Sequence, residues 1–315
     1  MKILKAALVV TAIAQASPSE ARRETFAASI VRTTYGIPHI TARSWSGAGY
    51  GVGYAYAQDN LCMIAEEFAT VAGERSLHFG PKGTAVLGFG PVDNLTSDIY
   101  FRGVVDLPKL RAGVRRMDAR SQALVTGYIA GYNRLLRDIG PNGVPEGCRG
   151  KAWVRPIGVD DMLRLNEKGM ILAGSLAFAP FVAGAAPPKA RRSALAPSHD
   201  PLPKPEDIRY GSNGWAFGGD VTRDGRGLLV GNPHFPWEGP SRFWQMHVTI
   251  PGQYDAMGAS IAGAPIVTLG FNRDIAWTHT VTAAQHFTVF ELKLASDDPL
   301  TYLVDGKRER MRETT

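Results

Sequence analysis

The stretch of the chain that decides the fold is Tyr210-Gly211-Ser212-Asn213-Gly214-Trp215-Ala216. Taken alone, Gly-Ser-Asn-Gly is typical of a turn, because glycine and asparagine tolerate the backbone angles that turns require. A serine hydroxyl is a poor nucleophile unless a base lies beside it. Cleavage of the Gly211–Ser212 bond would give Ser212 a free α-amino group, of a type whose ordinary pKa is about 7.7 to 8.0, and that amine could be the base. The stretch is therefore either a turn or an N-terminal nucleophile.

Composition changes sharply before this stretch. Residues 184–205 are rich in Pro, Ala, Ser and basic side chains, which predicts a linker or a processed spacer. Ahead of the spacer, hydrophobic spacing predicts a strand, a turn and a second strand over 30–40, followed by helices over 44–72, 107–136 and 158–178. Beyond it, turn residues separate predicted strands at 214–218, 227–230, 243–250, 266–271, 276–281 and 288–294. This order predicts an α+β fold with a boundary near residue 211.

Composition and charge exclude several classes of protein. With 44% hydrophobic and 20% charged residues, the 315-residue chain is neither disordered nor fibrous. Its net charge is +6, but the basic clusters at 189–192 and 307–312 have no interleaved aromatic side chains that could stack on bases. These clusters indicate solvated surface, and we expect no nucleic-acid partner.

Residues 1–16 have the pattern of a secretory signal. Two lysines precede an apolar run over 6–14, and Ala14-Gln15-Ala16 fits the small-x-small rule for signal cleavage. An apolar run of about nine residues is too short for a bilayer, which needs roughly 20. We expect cleavage after Ala16, a periplasmic or secreted location and no membrane span.

The chain has two cysteines, Cys62 and Cys148. In an oxidising compartment this even number is consistent with one disulfide. Two buried, unpaired thiols fit nearly as well, since the sequence alone contains no distance between them. Two cysteines and scattered histidines make no zinc-binding pattern, and we expect no cofactor.

Further motifs lie at ordered distances from Ser212. Downstream are Gly231-Asn232-Pro233-His234-Phe235-Pro236-Trp237 and the block at 270–281, and upstream are Gly36-Ile37-Pro38-His39-Ile40 and the run at 51–61. Together these blocks, spread over most of residues 28–295, resemble the penicillin acylase family of N-terminal nucleophile hydrolases. Within that family they are similar to the aculeacin A acylase and acyl-homoserine-lactone acylase group.

The resemblance implies roles for four residues. It places the nucleophile at Ser212, an imidazole near the nucleophile's amino group at His234, the first oxyanion-hole N–H at Val281, and an aromatic wall of the acyl pocket at Phe235. From the residues alone, His234 could instead cap a turn, Val281 is an ordinary strand residue and Phe235 fits a core position. The two nearby tryptophans are predicted to be mainly core (Trp215 and Trp277).

The resemblance also implies an architecture, namely a mainly helical N-terminal part followed by the start of an αββα sandwich that is incomplete at the C-terminus. The segments are then a signal (1–16), a helical α-subunit-like region (17–183), a spacer (184–211) and the first part of the nucleophile-bearing β-subunit (212–315). Cleavage between Gly211 and Ser212 of one precursor would produce an α/β heterodimer. The implied reaction is hydrolysis of small N-acyl amides with an aliphatic acyl chain, such as acyl-homoserine lactones or lipopeptides.

Two features limit the transfer of family properties. Where the family has calcium-binding aspartates, this chain has Gln285 and Thr288, which are weak cation ligands, so we expect no metal there. The family also continues beyond the position of Thr315 and takes an asparagine oxyanion donor from that part. We therefore expect residues 17–315 alone to have no turnover, and the alternative function is that of a truncated, inert fragment or binding remnant.

Overall fold

The computed structural model describes residues 26–87, 91–172, 174–185, 211–281, 288 and 290–313. The predicted signal, the basic cluster at 189–192, most of the predicted spacer and Gln285 lie outside these residues. The described chain combines helices with several mainly antiparallel sheets, which confirms the α+β class.

The helices lie before the spacer, as predicted. They are α1 (Trp45–Ala72), α2 (Arg75–Phe79), α3 (Asn94–Val104), α4 (Leu107–Val114), α5 (Ala119–Gly143), α6 (Val159–Ile171) and α7 (Ala179–Ala183). The single helix predicted over 107–136 is wrong, because the Asp118 carboxylate accepts the Ser121 N–H at 3.2 Å and starts α5 as a new helix. The helix predicted over 158–178 ends early, at Ile171, and a 3-10 turn follows at Ser175–Phe178.

The strands before the spacer are β1 (Ala28–Arg32), β2 (Pro38–Ala42), β3 (Thr84–Val86) and β4 (Pro91–Asp93). Those after it are β5 (Gly211–Phe217), β6 (Leu228–His234), β7 (Trp244–Ile250), β8 (Tyr254–Ser260), β9 (Leu269–Phe271), β10 (Ala276–Trp277), β11 (Lys293–Leu294), β12 (Thr301–Val304) and β13 (Lys307–Arg310). The pair predicted around Gly36 is confirmed as β1 and β2. β8 was not predicted, because YDAMGAS contains no Val, Ile or Thr and so has little strand propensity.

One six-stranded sheet joins the two sides of the spacer. Its order is β1-β2-β7-β8-β9-β10, and β2 runs parallel to β7 while the other pairs are antiparallel. Strands from before the spacer therefore pair with strands from after it. The boundary predicted near residue 211 does not separate two independent cores.

Helix α1 packs between this sheet and α5 through glycines. A methyl group placed on Gly51 would lie 2.4 Å from Ile40 of β2, and one on Gly53 would lie 2.2 Å from the carbonyl oxygen of Tyr128 in α5. From the other side, a methyl on Gly127 would lie 2.0 Å from the carbonyl oxygen of Ser46. Backbones that approach this closely exclude any side chain, so the close-packing face predicted from the small residues of α1 is confirmed.

We expect Gly127→Ala to destabilise the protein by about 2 kcal/mol or more, because a well-packed interface has no room for the added methyl. The matched control is Gly113→Ala in α4, where the new methyl meets nothing within 4 Å. Replacing that helical glycine should be neutral or stabilising by up to about 1 kcal/mol. Thermal unfolding of the two variants measures the difference, and equal melting temperatures would contradict the packing described here.

A disulfide between Cys62 of α1 and Cys148 ties the helical part together. The two Cα atoms are 5.5 Å apart, and Cys148 lies in a 3-10 turn (Glu146–Cys148) just after α5. Both cysteines precede the spacer, so this link does not cross the predicted cleavage site. Within the ranges that the structure describes, none of the helices combines the length and the apolarity that a bilayer crossing requires.

Candidate active site

Ser212 lies in a two-stranded sheet made by β5 and β6. It is the second residue of β5, is partly buried and pairs with Pro233. Its hydroxyl donates a hydrogen bond of 2.5 Å to the carbonyl oxygen of Gly211. The turn interpretation of Gly-Ser-Asn-Gly is therefore wrong, because this tetrapeptide is strand, and the hydroxyl is folded back over the bond predicted to be cut.

His234 ends β6 and pairs directly with Gly211. Its Nδ1 lies 3.0 Å from the point that a Cβ on Gly211 would occupy, and its Nε2 lies 3.1 Å from Nδ2 of Asn232. Because neighbouring residues of a strand point to opposite faces, the hairpin has His234 on one face and Ser212 on the other. The structure thus brings the imidazole to Gly211 and keeps it on the opposite face from the serine hydroxyl.

Val281 follows a segment that packs on the Ser212 face of the hairpin. Thr278 Oγ1 lies 3.0 Å from the point that a Cβ on Gly231 would occupy, and Thr280 Cγ2 lies 3.4 Å from the corresponding point on Gly214. Gly214 and Gly231 form a cross-strand pair two residues from Ser212 on the same face. Val281 comes directly after Thr280, beyond the end of β10, and its side chain is 40% exposed. The chain therefore reaches the serine side of the hairpin just before Val281.

An aromatic pair lies next to the end of β6. The ring of Phe235, directly after β6, lies 5.0 Å from the ring of Phe243 in a tilted arrangement.

The two tryptophans near the site differ in burial. Trp277 Nε1 donates to the Thr268 carbonyl at 3.0 Å and its ring packs against the core, as predicted. Trp215 is 50% exposed on the same face as His234, so the prediction that it is mainly core is wrong.

The hairpin exposes apolar side chains. Besides Trp215, the exposed ones on its His234 face are Phe217, Leu228 and Val230. A two-stranded hairpin is at best marginally stable by itself and needs a further layer against its apolar face. Within the described residues, β5, the strand that contains Ser212, is thus an incompletely covered part of the fold.

The structure describes only part of the position where the family has calcium-binding aspartates and where we expect no metal. Thr288 is exposed, and Gln285 lies outside the described residues. Among the residues that the structure describes, no three His, Cys, Asp or Glu side chains are grouped in a way that could hold a metal ion.

Two neighbours of the site were not predicted from the sequence, namely Asn232 beside His234 and Thr278 against the glycine pair. The first has a sequence signal, because Asn232 and His234 are two residues apart in a strand and therefore share a face. The second has none, since Thr278 reaches the hairpin only through the tertiary fold.

Comparison with known proteins identifies related sequences over nearly the whole chain. A family profile described as penicillin amidase matches residues 27–315. The chain is 44% identical to an acyl-homoserine lactone acylase, PvdQ, of Pseudomonas putida, over 99% of this chain and 40% of that protein. It is 39% identical to aculeacin-A acylase of Actinoplanes utahensis, over 98% of this chain and 40% of that protein. The chain thus spans about 40% of the length of these curated relatives.

Among solved structures, the chain is similar to a thermostable penicillin G acylase from Alcaligenes faecalis. The two share 22% identity over 48% of this chain and 76% of that chain, with a TM-score of 0.41.

Proposed function

Because the chain belongs to the penicillin amidase family, we propose that the protein is an acylase that hydrolyses N-acyl amides with Ser212 as an N-terminal nucleophile. The observation that carries the proposal is the contact between the Ser212 hydroxyl and the Gly211 carbonyl oxygen. This contact places the Ser212 hydroxyl beside the one peptide bond whose cleavage would free the Ser212 α-amine. That amine would then be the base for the hydroxyl. The boundaries proposed for the two subunits are 17–183 and 212–315, separated by the spacer.

The first step proposed is self-cleavage. Ser212 Oγ attacks the carbonyl carbon of Gly211, its proton passes to the Ser212 nitrogen as the C–N bond breaks, and an ester to Oγ replaces the amide. Water then hydrolyses the ester, which leaves a carboxylate on Gly211 and a free α-amine on Ser212. No group outside the chain and water is consumed.

The amine then acts as the general base in turnover. Ser212 Oγ attacks the amide carbonyl of the substrate while the α-amine takes the hydroxyl proton and passes it to the leaving amine. The backbone N–H of Val281 stabilises the oxyanion, a role that fits the approach of residues 278–280 to the serine face. Water hydrolyses the acyl-serine and regenerates the enzyme.

The proposed substrates are small N-acyl amides with an aliphatic acyl chain. Support comes from the names of two relatives, an acyl-homoserine lactone acylase and aculeacin-A acylase. The partly buried pair of Phe235 and Phe243 offers an apolar wall next to the end of β6 for such a chain. Phe235 is accordingly proposed as a substrate-binding residue.

We further propose that the two pieces remain together as an α/β heterodimer after cleavage. The parallel pairing of β2 with β7 joins them, and the Trp244 indole N–H donates to Asp59 Oδ2 of α1 at 2.8 Å. Nδ1 of His39 in β2 lies 2.8 Å from Nδ1 of His247 in β7. The other ring nitrogen of His247 binds Asp255, and this hydrogen bond holds the pKa of the Asp255 carboxyl below its ordinary value.

This arrangement predicts that the cleaved pieces co-elute in gel filtration under native conditions and separate in denaturant without a reductant. The second outcome follows because the disulfide between Cys62 and Cys148 lies entirely upstream of the cut. Pieces that elute separately in native buffer, or that need a reductant to separate in denaturant, would contradict the proposed interface.

The proposed location is the periplasm or the medium, which rests on the signal pattern at 1–16. We expect exported protein to begin at Ser17. N-terminal sequencing of periplasmic and secreted fractions measures this, and cytoplasmic protein that still begins at Met1 would contradict it.

The test of function uses the product of the longest open reading frame that contains these residues, here called the precursor. Purified precursor is incubated with long-chain and short-chain N-acyl amides, and release of the free fatty acid is measured with the Ser212→Ala variant as the blank. Residues 17–315 form the second arm and are expected to be inactive, because the nucleophile hairpin is incompletely covered. Equal turnover by the precursor and its Ser212→Ala variant would refute the proposal.

A further inference from the structure

We propose that Asn232 is a positioning residue that fixes the tautomer of His234, so that the proton of the neutral imidazole is on Nδ1 and faces Gly211 in the uncut chain. The inference rests on the proposed function, since it assigns Asn232 to the self-cleavage step. It concerns a residue that the roles described above leave unused.

The first support is the contact between the two side chains. Nδ2 of Asn232 lies 3.1 Å from Nε2 of His234, and both side chains are on one face of β6. An amide nitrogen can only donate, and from this we infer that Nε2 is the acceptor and carries no proton. In a neutral imidazole the proton is then on Nδ1.

The second support is the direction of the ring. Nδ1 of His234 lies 3.0 Å from the point that a Cβ on Gly211 would occupy, and the two residues are paired across the hairpin. The ring therefore covers the residue on the N-terminal side of the bond to be cut. A Cβ at position 211 would require the imidazole to shift by a few tenths of an ångström.

The two observations place different groups on the two faces of the hairpin. On one face the Ser212 hydroxyl contacts the Gly211 carbonyl oxygen, and on the other Nδ1 of His234 lies 3.0 Å from the point that a Cβ on Gly211 would occupy. A donor held on the second face can hydrogen-bond to the peptide group as it changes from amide to ester and amine. Without Asn232 the imidazole would be free to take the other tautomer and to rotate away.

Asn232→Asp is the informative variant, because it nearly preserves the size of the side chain and reverses its hydrogen-bonding role. A carboxylate only accepts, so it would pair with an Nε2–H and leave Nδ1 as a bare acceptor facing Gly211. We expect self-cleavage of the Asn232→Asp precursor to slow at least tenfold. The matched control is Asn142→Asp at the exposed end of α5, which should cleave at the rate of the unchanged precursor.

The tautomer itself is read by long-range proton–nitrogen NMR on chain labelled with 15N-histidine, in a Ser212→Ala background that keeps the Gly211–Ser212 bond intact. The His234 signal is assigned by its loss in His234→Gln. We expect a protonated Nδ1 and a bare Nε2 in the Ser212→Ala chain, with the order reversed when Asn232→Asp is added. A purely structural role for Asn232 would not exchange the two nitrogens.

An Nε2-protonated His234 in the Ser212→Ala chain, or the same tautomer with and without Asn232→Asp, would overturn the inference. Cleavage of Asn232→Asp at the unchanged rate would also overturn it. Failure of the proposed function gives a different result, namely no Ser212-dependent cleavage in any precursor, whatever tautomer the NMR experiment records.

Discussion

Replacing Ser212 by alanine is expected to stop self-cleavage completely, so that the precursor accumulates uncut. The reason is that one hydroxyl serves as the attacking group, and the structure holds it 2.5 Å from the carbonyl oxygen of Gly211. Intact-mass measurement over the time course of expression detects the cut, because the unchanged precursor should separate into two pieces with a boundary at 211/212.

Two controls make this result specific. Ser212→Cys retains a nucleophile on the same carbon and should still cleave, and Ser29→Ala, an exposed serine of β1, should cleave at the unchanged rate. If Ser212→Ala were cut between residues 211 and 212, a separate protease would be responsible and the assignment of Ser212 would be wrong.

Val281→Pro is expected to lower kcat by roughly 100- to 1,000-fold, which is the usual loss when one oxyanion-hole donor is removed. Proline has no backbone N–H, whereas alanine retains it. Val281→Ala should therefore keep near-normal turnover. Val281 lies beyond the end of β10, so the proline removes no ladder hydrogen bond of that strand.

The rates in this comparison are expressed per molecule of cleaved protein, with the cut fraction measured by mass. This separates an effect on turnover from an effect on self-cleavage. Equal kcat for Val281→Pro and Val281→Ala would contradict the assignment of the oxyanion donor, and a large loss in Val281→Ala would show that the side chain matters.

Local patterns in the sequence predict several elements well. The glycines and alanines of α1 predict a close-packed face, because small residues at a spacing of four lie on one side of a helix and let another backbone approach closely. The strand pair around Gly36 follows from β-branched residues on both sides of one turn residue. In each case the signal and the structure depend on the same few neighbouring residues.

Pairing between distant segments cannot be predicted in this way. The hydrophobic pattern of β2 does not reveal that β7, some two hundred residues later, is its parallel neighbour. Local patterns therefore predict helices followed by a sheet, although β1 and β2 belong to the same sheet as β7. The break between α4 and α5 was not predicted either, although aspartate at position 118 is a residue type that favours a helix N-cap.

The family resemblance assigns residues to the candidate site but does not predict how their side chains are arranged. Gly211, Ser212 and His234 lie in one hairpin. That His234 faces Gly211 and not the Ser212 hydroxyl depends on the register of β5 and β6, because a shift by one residue would place both side chains on the same face. Register is set by the paired strands together and cannot be predicted from either strand alone.

Acyl-enzyme trapping tests the central claim most directly. Cleaved protein is mixed with an N-acyl amide, quenched in acid within the first turnovers, and digested for peptide mass spectrometry. We predict one acyl group on the peptide that begins at Ser212, attached at its side-chain oxygen. An acyl group on any other residue, or turnover by protein whose Gly211–Ser212 bond is intact, would contradict the proposal that Ser212 is an N-terminal nucleophile.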